Sequence, residues 1–300
     1  MILKANDYYR QRFGGKIYRI SLSGGMTCPN RDGTLDTRGC IFCSRGGSGD
    51  FAASAALPIK KQLVCAKKLI SDKLPASKAD FAGYLAYFQS FTNTYAPVWY
   101  LEKIFSEALS DDEVVALSVA TRPDCLAPEC VVLLRRLQET YQKPVYVELG
   151  LQTIHEKTAA WIRRGYPLSV YDDAVQRLQA SGLLVITHVI LGLPYETEKE
   201  MLETVAYLTS KEHKVHGLKL QLLHVLKNTD LATVYDSSPQ IFPCLAKESY
   251  FDLLKKILPL LPEDVVLYRV TGDGPKKDLI APLWSADKKS VLNALHKIGY

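Results

Sequence analysis

The sequence lacks the features that mark several protein classes. It has no apolar run near the roughly 20 residues that a membrane-spanning helix needs, and its longest, residues 183–193, is interrupted by Thr187 and His188. The amino terminus carries no apolar segment typical of a secretory signal. Neither sign of charge dominates, since 37 Lys and Arg stand against 32 Asp and Glu. We therefore expect a cytoplasmic protein without membrane contact and without a DNA partner, because dedicated DNA binders are usually more basic.

Buried strands and helices alternate regularly along the chain. Segments of helical period, such as 129–141, 169–181 and 197–209, separate apolar β-branched runs. Alternation at this spacing predicts an α/β fold with a parallel sheet. No linker or low-complexity tract divides the 300 residues, so one domain is the simplest account. The predicted strands cover residues 16–23, 84–89, 114–120, 144–150, 183–190, 217–223 and 265–270.

The cysteines are few but unevenly placed. Three of the seven, Cys28, Cys40 and Cys43, lie close together, with eleven and then two residues between them. An odd number of cysteines in a cytoplasmic chain argues against a disulfide framework and favours metal binding or catalysis. The other four are isolated in apolar or mixed surroundings and are interpreted as buried thiols; they are Cys65, Cys125, Cys130 and Cys244.

Three thiols in one loop fit more than one kind of site. The loop follows the first predicted strand, and α/β proteins place their sites at the carboxyl ends of parallel strands. A structural zinc site would need a fourth ligand, such as Asp32, Asp36 or a remote histidine. A redox pair would use Cys40 and Cys43 alone. A cubane iron–sulfur cluster held by three thiolates would leave one iron open for a ligand. The spacing alone leaves these alternatives open.

The residues around the cysteines carry a family resemblance. The stretches 25–33 (GMTCPNRDG) and 39–44 (GCIFCS) are similar to the radical S-adenosylmethionine (radical SAM) superfamily, in particular to bacterial relatives of the Elongator catalytic subunit without its acetyltransferase domain. The superfamily's common spacing is three then two, and the longer spacing here resembles the Elongator loop. The resemblance implies a partial (βα)6-type parallel barrel. Its core would span 1–235, with a cluster loop at 24–50, and an extension over 236–300 would close the barrel.

The same resemblance implies the cofactors. Cys28, Cys40 and Cys43 would hold a 4Fe–4S cluster, and SAM would bind the open iron. An external one-electron reductant of flavodoxin or ferredoxin type would drive cleavage of SAM to a 5′-deoxyadenosyl radical. Members usually carry Gly-Gly-Glu after the second strand, where this chain has Gln-Ser-Phe-Thr-Asn over 89–93. The side chains expected to contact SAM are Phe42, Thr92, Asn93, Ser118, Thr121, Glu148, Gln152, Arg164, His188 and Gly192.

Elongator relatives act on the wobble uridine of tRNA, so the resemblance implies a tRNA substrate. The chain has no segment to spare for an acetyltransferase domain. We therefore expect trimming of a C5 carboxymethylaminomethyl group to aminomethyl. A radical SAM enzyme acting on a small molecule or protein, and a non-catalytic RNA-binding protein stabilised by zinc or an iron–sulfur cluster, remain as alternatives. The residues expected to contact the substrate are Lys219, Gln221, His224, Lys227, Arg269 and Asp273.

Overall fold

A curled sheet of seven parallel strands forms the centre of the molecule. The structure is a computed structural model that describes residues 2–47, 52–75, 80–238, 243–272 and 274–300. The strands are hydrogen-bonded in the order in which they follow one another along the chain. They are β1 (Lys16–Leu22), β2 (Phe81–Phe88), β3 (Val114–Thr121), β4 (Val145–Gln152), β5 (Leu184–Leu191), β6 (Gly217–Leu222) and β8 (Val266–Arg269). All seven predicted strands are thus confirmed, with bounds shifted by at most three residues.

Helices cover the outer face of the sheet. The main apolar core lies between them and the strands, with residues such as Leu22, Phe88, Phe105 and Leu191 almost fully buried. Parallel strands covered in this way are apolar along most of their length, which is why their pattern was visible in the sequence. The helices are α1 (Ala5–Phe13), α2 (Ile59–Leu69), α3 (Val98–Leu109), α4 (Pro128–Tyr141), α5 (Glu156–Trp161), α6 (Leu168–Ala180), α7 (Glu198–Thr209), α8 (Asp230–Ser237), α9 (Lys247–Ile257) and α10 (Lys288–Lys297). None in the described ranges is long and apolar enough to cross a membrane.

The inner face of the sheet is layered along the barrel axis. At the amino ends of the strands, a second apolar cluster includes Ile17, Leu85, Tyr146 and Tyr268. Tyr8 of α1 packs against this cluster, with its hydroxyl 3.1 Å from that of Tyr146. Charged and hydrogen-bonding side chains occupy the next layer toward the carboxyl ends. The bottom of the barrel is therefore closed by aromatic rings, and polar groups face the other end.

The barrel stays open between its first and last strands. The extension after residue 236 contributes β8, which pairs with β6, and a short strand β9 (Leu279–Ala281) that pairs with β7 (Val225–Leu226) outside the main sheet. No pairing of β8 with β1 occurs within the residues that the structure describes. The extension therefore widens the sheet by one strand and does not close it by hydrogen bonding, which differs from our expectation. Instead, α1 lies across the gap and packs on both β1 and β8.

Candidate active site

The loop after β1 is folded around its cysteines by local hydrogen bonds. The N–H of Cys43 donates to the carbonyl of Cys40 at 2.9 Å, and the N–H of Gly39 donates to the carbonyl of Asn30 at 2.6 Å. The amide of Asn30, which is buried, donates to the carbonyl of Arg163 at 2.8 Å and lies 3.5 Å from Cys40 Sγ. Asn30 therefore fixes the loop to the chain after β4 and offers one N–H to a cysteine sulfur.

The three clustered cysteines line one cavity at the carboxyl ends of the strands. Cys28, Cys40 and Cys43 form no disulfide. Burial, and the nearby Cys43 thiol, raise the pKa of Cys40 to about 11. Within the described ranges, no three His, Cys, Asp or Glu side chains converge on one ion.

Most of the side chains predicted to form the site line this cavity or the one that adjoins it. From the predicted SAM set, the structure brings together Phe42, Thr92, Thr121, Glu148, Gln152, Arg164 and His188. From the predicted substrate set, it adds Gln221, Arg269 and, in the adjoining cavity, His224. Asp273 lies outside the described residues. The remaining predicted residues have other surroundings; these are Asn93, Ser118, Gly192, Lys219 and Lys227.

Glu148 on β4 is the centre of a buried polar network. Its carboxylate accepts hydrogen bonds from Ser118 at 2.7 Å and from Tyr87 at 3.0 Å, and it forms a buried ion pair with Lys219 of β6. Burial raises the pKa of Glu148, but the Lys219 charge and the hydrogen bond from His188 hold it well below its usual value. Burial lowers the pKa of Lys219 to about 7, against the opposing effect of Glu148. The structure thus pairs Glu148 and Lys219 with each other, whereas the sequence assigned one to SAM and the other to substrate.

His188 on β5 connects this network to the cavity. Its Nε2 lies 2.7 Å from a Glu148 oxygen, and its Nδ1 lies 3.1 Å from the amide nitrogen of Gln221. Because an ionised carboxylate can only accept, the hydrogen belongs on Nε2, and Nδ1 accepts from the amide. Burial, together with the Lys219 charge, lowers the pKa of His188. His188 is therefore a neutral, oriented imidazole at the cavity wall.

Arg164 is buried, and its guanidinium is bound within the protein. It donates to the carbonyls of Leu151, Thr153 and Tyr166, at 3.2, 2.6 and 2.9 Å. It also forms an ion pair with Glu156 at 3.2 Å. These contacts hold the chain after β4 in place. Arg164 also lines the cavity of the cysteines, so its contact with SAM stays a prediction beside this supporting role.

The loop after β2 stands where the family usually has Gly-Gly-Glu. Thr92 is buried and lines the cavity. Asn93 is fully buried, and its amide nitrogen donates to the carbonyls of Phe88 and Ala120 at 3.1 and 2.9 Å, which ties the ends of β2 and β3 together. Its side-chain oxygen has no hydrogen-bond partner in the described part of the chain. Asn93 therefore ties the two strand ends together, and the structure does not bring its side chain to the cavity lining.

Two other predicted contacts are occupied inside the protein. Thr121 Oγ1 lies 2.5 Å from Thr94 Oγ1. Lys227 donates to the carbonyl of Lys277 at 3.0 Å, away from the cavity lining. Gly192 has φ +85°, and a Cβ there would approach the Leu245 side chain rather than the cavity. Ser118 is bound to Glu148, as described above. Thr121 and Gly192 lie at or directly after strand ends, as expected, whereas Ser118 lies within β3 and points to Glu148.

Sequence reasoning missed several lining residues. Tyr87 and Gln89 face inward at the end of β2, on the same side as Leu85 of the inner cluster. Alternate residues of a strand face the same side, so this spacing of two residues could have predicted both lining residues. Arg122 follows β3, pairs with Asp124 at 2.7 Å and lies 5.0 Å from the Tyr166 ring. Its partner lies two residues away, and nothing local in the sequence distinguishes this pair from a surface ion pair.

Comparison with known proteins identifies the family. The model for the radical SAM superfamily matches residues 37–208, and the model for the radical SAM C-terminal domain matches residues 215–298. The chain belongs to the radical SAM superfamily. The protein YtqA of Bacillus subtilis is 41% identical over 97% of this chain and 87% of its own length. This family implies SAM and a 4Fe–4S cluster as cofactors.

Two further comparisons connect this radical SAM chain to Elongator. The tRNA uridine(34) acetyltransferase of Methanocaldococcus jannaschii is 25% identical over 55% of this chain, which spans 30% of that protein. The solved structure of archaeal Methanocaldococcus infernus Elp3 has a TM-score of 0.68 at 16% identity, covering 95% of this chain and 64% of that one. At this identity the structural match shows the shared fold. That fold is the α/β half-barrel with a carboxyl-terminal extension that the resemblance had implied.

The residues present fit these cofactors. Three thiols face one cavity, and Cys, as thiolate, is the usual ligand of iron–sulfur clusters. The cluster loop closely approaches the loop after β2, because a Cβ on Gly47, whose φ is +58°, would lie 2.4 Å from the Phe91 ring. Cys28, Cys40 and Cys43 are therefore the residues that would hold the cluster.

Proposed function

We propose that this radical SAM enzyme modifies the C5 side chain of the wobble uridine in tRNA, trimming carboxymethylaminomethyl to aminomethyl. The observation that carries the proposal is the similarity to a tRNA uridine(34) acetyltransferase over 55% of the chain. Trimming would oxidise the CH2 carbon of the carboxymethyl group by two electrons, with SAM as the oxidant when bound; water would then hydrolyse the resulting imine, which leaves the aminomethyl group and releases the two carbons as glyoxylate. When bound, the cluster and SAM supply a one-electron route to breaking a strong C–H bond.

The cavity lining supports a nucleobase substrate. The side-chain amides of Gln89, Gln152 and Gln221 lie along the same opening, with Arg269 beside them. Amides can both donate and accept, as recognition of a uracil edge requires. His188 presents a neutral imidazole at the same wall. These groups would orient the base, and Arg269 would face the negative charge of a carboxymethyl group.

The chain's own residues also protect the reaction. The aromatic cluster of Tyr8, Tyr146 and Tyr268 closes the amino end of the barrel and excludes water from below. The buried Glu148–Lys219 pair lies between this cluster and the cavity, and it fixes the orientation of His188. Exclusion of water limits side reactions in such a site. We propose a flavodoxin- or ferredoxin-type protein as the electron donor.

The first experiment measures cofactor loading and SAM cleavage. Protein reconstituted without oxygen is assayed for iron, for sulfide and for 5′-deoxyadenosine after reduction. Cys40→Ala should lose all three signals. Cys65→Ala, which changes an exposed thiol on α2, is the matched control and should keep them. Cleavage retained in Cys40→Ala would show that the ligand assignment is wrong, and a protein that binds only zinc would support the non-catalytic alternative.

The second experiment identifies the substrate. Nucleosides of tRNA from a strain lacking the gene are compared with the parent by mass spectrometry. We expect carboxymethylaminomethyl uridine to accumulate and aminomethyl uridine to fall, and the purified enzyme should reverse this in vitro. Unchanged wobble uridines together with active SAM cleavage would refute the tRNA substrate and favour a small-molecule or protein substrate.

A further inference from the structure

A further cavity opens at the gap between β1 and β8, away from the cysteines. One wall is the inner face of β1 and β2, and the other is formed by Tyr268 of β8 and by α10, with α1 crossing between them. Its volume is about 490 Å3. We call this cavity the seam. It lies at the open edge of the sheet toward the amino ends of the strands, where Ile17, Leu85 and Tyr268 of the inner apolar cluster form its floor.

The lining of the seam is strongly cationic. It contains the side chains of Lys4, Arg10, Lys16 and Arg19, while Asp7 is the only acidic side chain among its described lining residues. His296 of α10 also faces it. No ion pair joins Lys4, Arg10 or Lys16 to an acidic side chain in the part of the chain that the structure describes. The seam therefore concentrates positive charge on a chain whose overall excess is only +5.

Aromatic rings hold these cations in place. The Lys4 ammonium lies 5.0 Å from the centre of the Tyr300 ring, and the Lys16 ammonium lies 4.8 Å from that of Tyr18. A cation over a ring face is attracted to the ring but still directs N–H donors elsewhere. These side chains are thus ordered by contacts that leave them able to bind an anion.

Arg19 connects the seam to the active site. Arg19, which lines the seam, lies with its guanidinium 5.2 Å from the centre of the Tyr87 ring. Tyr87 lines the cavity of the cysteines and donates to Glu148. A polymer with one residue in the catalytic cavity must pass around the open edge of the barrel to reach the seam, which an RNA much longer than one nucleotide can do.

We propose that the seam binds the phosphodiester backbone of the RNA substrate at the open edge of the barrel, while another part of the same RNA enters the active site. The proposal rests on the proposed function, because it takes tRNA as the substrate. Phosphate is the group that clustered Lys and Arg side chains recognise in RNA, and it provides most of the salt-dependent affinity. Exposed Arg10, Arg19 and His296 can reach such a backbone without moving the barrel. Lys4 and Lys16 are half-buried and would contact it deeper in the seam.

The test measures tRNA binding as a function of salt. Holoenzyme and a labelled tRNA transcript whose anticodon begins with uridine are followed by fluorescence anisotropy between about 50 and 200 mM KCl. In K4Q/R10Q/K16Q we expect affinity to fall at least tenfold, and the slope of log K against log salt to shrink by about 2 to 3, because each phosphate contact contributes about 0.7 to 0.9. Arg19 is left unchanged because it touches Tyr87.

The control removes two positive charges, one fewer than the test variant, on the opposite side of the barrel. In R135Q/R136Q, both side chains lie on the exposed face of α4, behind β3 and β4. This variant should bind tRNA with the slope of the parent protein, and so should the charge-conserving K4R/K16R. The thermal midpoint of each variant shows that the fold is retained.

The outcomes separate this inference from the proposed function. Three outcomes would each overturn the proposal for the seam. K4Q/R10Q/K16Q could show the same salt dependence as the parent protein, R135Q/R136Q could lose as much tRNA affinity as K4Q/R10Q/K16Q, or the parent protein could fail to bind tRNA. The proposed function fails separately, if the parent protein binds tRNA through the seam but leaves its wobble uridines unaltered.

Discussion

Replacing Lys219 by methionine should destabilise the protein by removing the cation that balances a buried carboxylate. Lys219 and Glu148 are 1% and 2% exposed, and they form an ion pair across the interior of the barrel. Methionine keeps the length and most of the volume of lysine, so little cavity is created. What is lost is the partner of Glu148, and an uncompensated buried charge costs about 3 to 5 kcal/mol.

The structure places the expected loss at the lower end of that range. Glu148 keeps its hydrogen bonds from Ser118, Tyr87 and His188, so it is not left without donors. We expect the free energy of unfolding to fall by about 3 kcal/mol. With an unfolding entropy of about 2.1 cal/mol/K per residue, 300 residues give about 0.6 kcal/mol/K, so the melting temperature should drop by about 5 °C. Urea titration and differential scanning calorimetry measure both quantities.

A double variant and the pH dependence test the cause. Glu148→Gln added to Lys219→Met removes the buried charge and should restore most of the lost stability, because replacing both partners is often neutral. In the single variant Glu148 loses the charge that kept its pKa low, so its pKa rises above that of the unfolded chain. A carboxyl with a raised folded pKa contributes stability at low pH and loses it as pH rises through that pKa. The difference in unfolding free energy between the parent protein and Lys219→Met should therefore grow from pH 5 to pH 8. If the single and the double variant lose the same stability at every pH, the reasoning is refuted.

Three further substitutions test the supports of the site. Asn30→Ala should lower the iron retained by reconstituted protein, because it removes the amide beside Cys40 Sγ. The measurement is iron per chain after addition of a chelator. Unchanged retention would show that this contact is dispensable. Gly47→Ala should lower both stability and iron content, since its Cβ would lie 2.4 Å from the Phe91 ring. A variant with full iron content and an unchanged melting temperature would contradict this close approach. Arg164→Met should lower the free energy of unfolding, measured by urea titration, by about 3 kcal/mol or more, because three carbonyls lose a buried donor. Arg164→Lys should recover part of this stability.

The fold was predictable because its signal is local. Each buried parallel strand is apolar along its own length, as in 183–190, and each helix carries its own period, so no knowledge of the partner strand was needed. The three cysteines were equally visible, because chemically distinctive residues stood close together in the chain. The open seam was not visible, since whether β8 pairs with β1 depends on the curvature of the whole sheet.

The site was predictable only in outline, because its decisive contacts are non-local. Glu148 and Lys219 are 71 residues apart, and the sequence around either residue gives no indication that the other is its partner. Arg164 was assigned from the family resemblance, and its partners in the structure include backbone carbonyls, which any sequence possesses. Sequence position thus indicates which strand end a residue occupies, and the register of the strands then decides whether its side chain meets a ligand or another side chain.

The order of layers inside the barrel restricts how a substrate can approach the cysteines. From below, the path is closed first by rings such as Tyr146 and Tyr268 and then by the Glu148–Lys219 pair. Moving that pair would expose a buried charge, at a cost of about 3 to 5 kcal/mol, which a substrate would have to supply from its binding energy. The carboxyl ends of the strands require no such disruption. We therefore expect the reacting group of the substrate to enter from the carboxyl ends, while the seam can hold only a part of the substrate that stays outside the barrel.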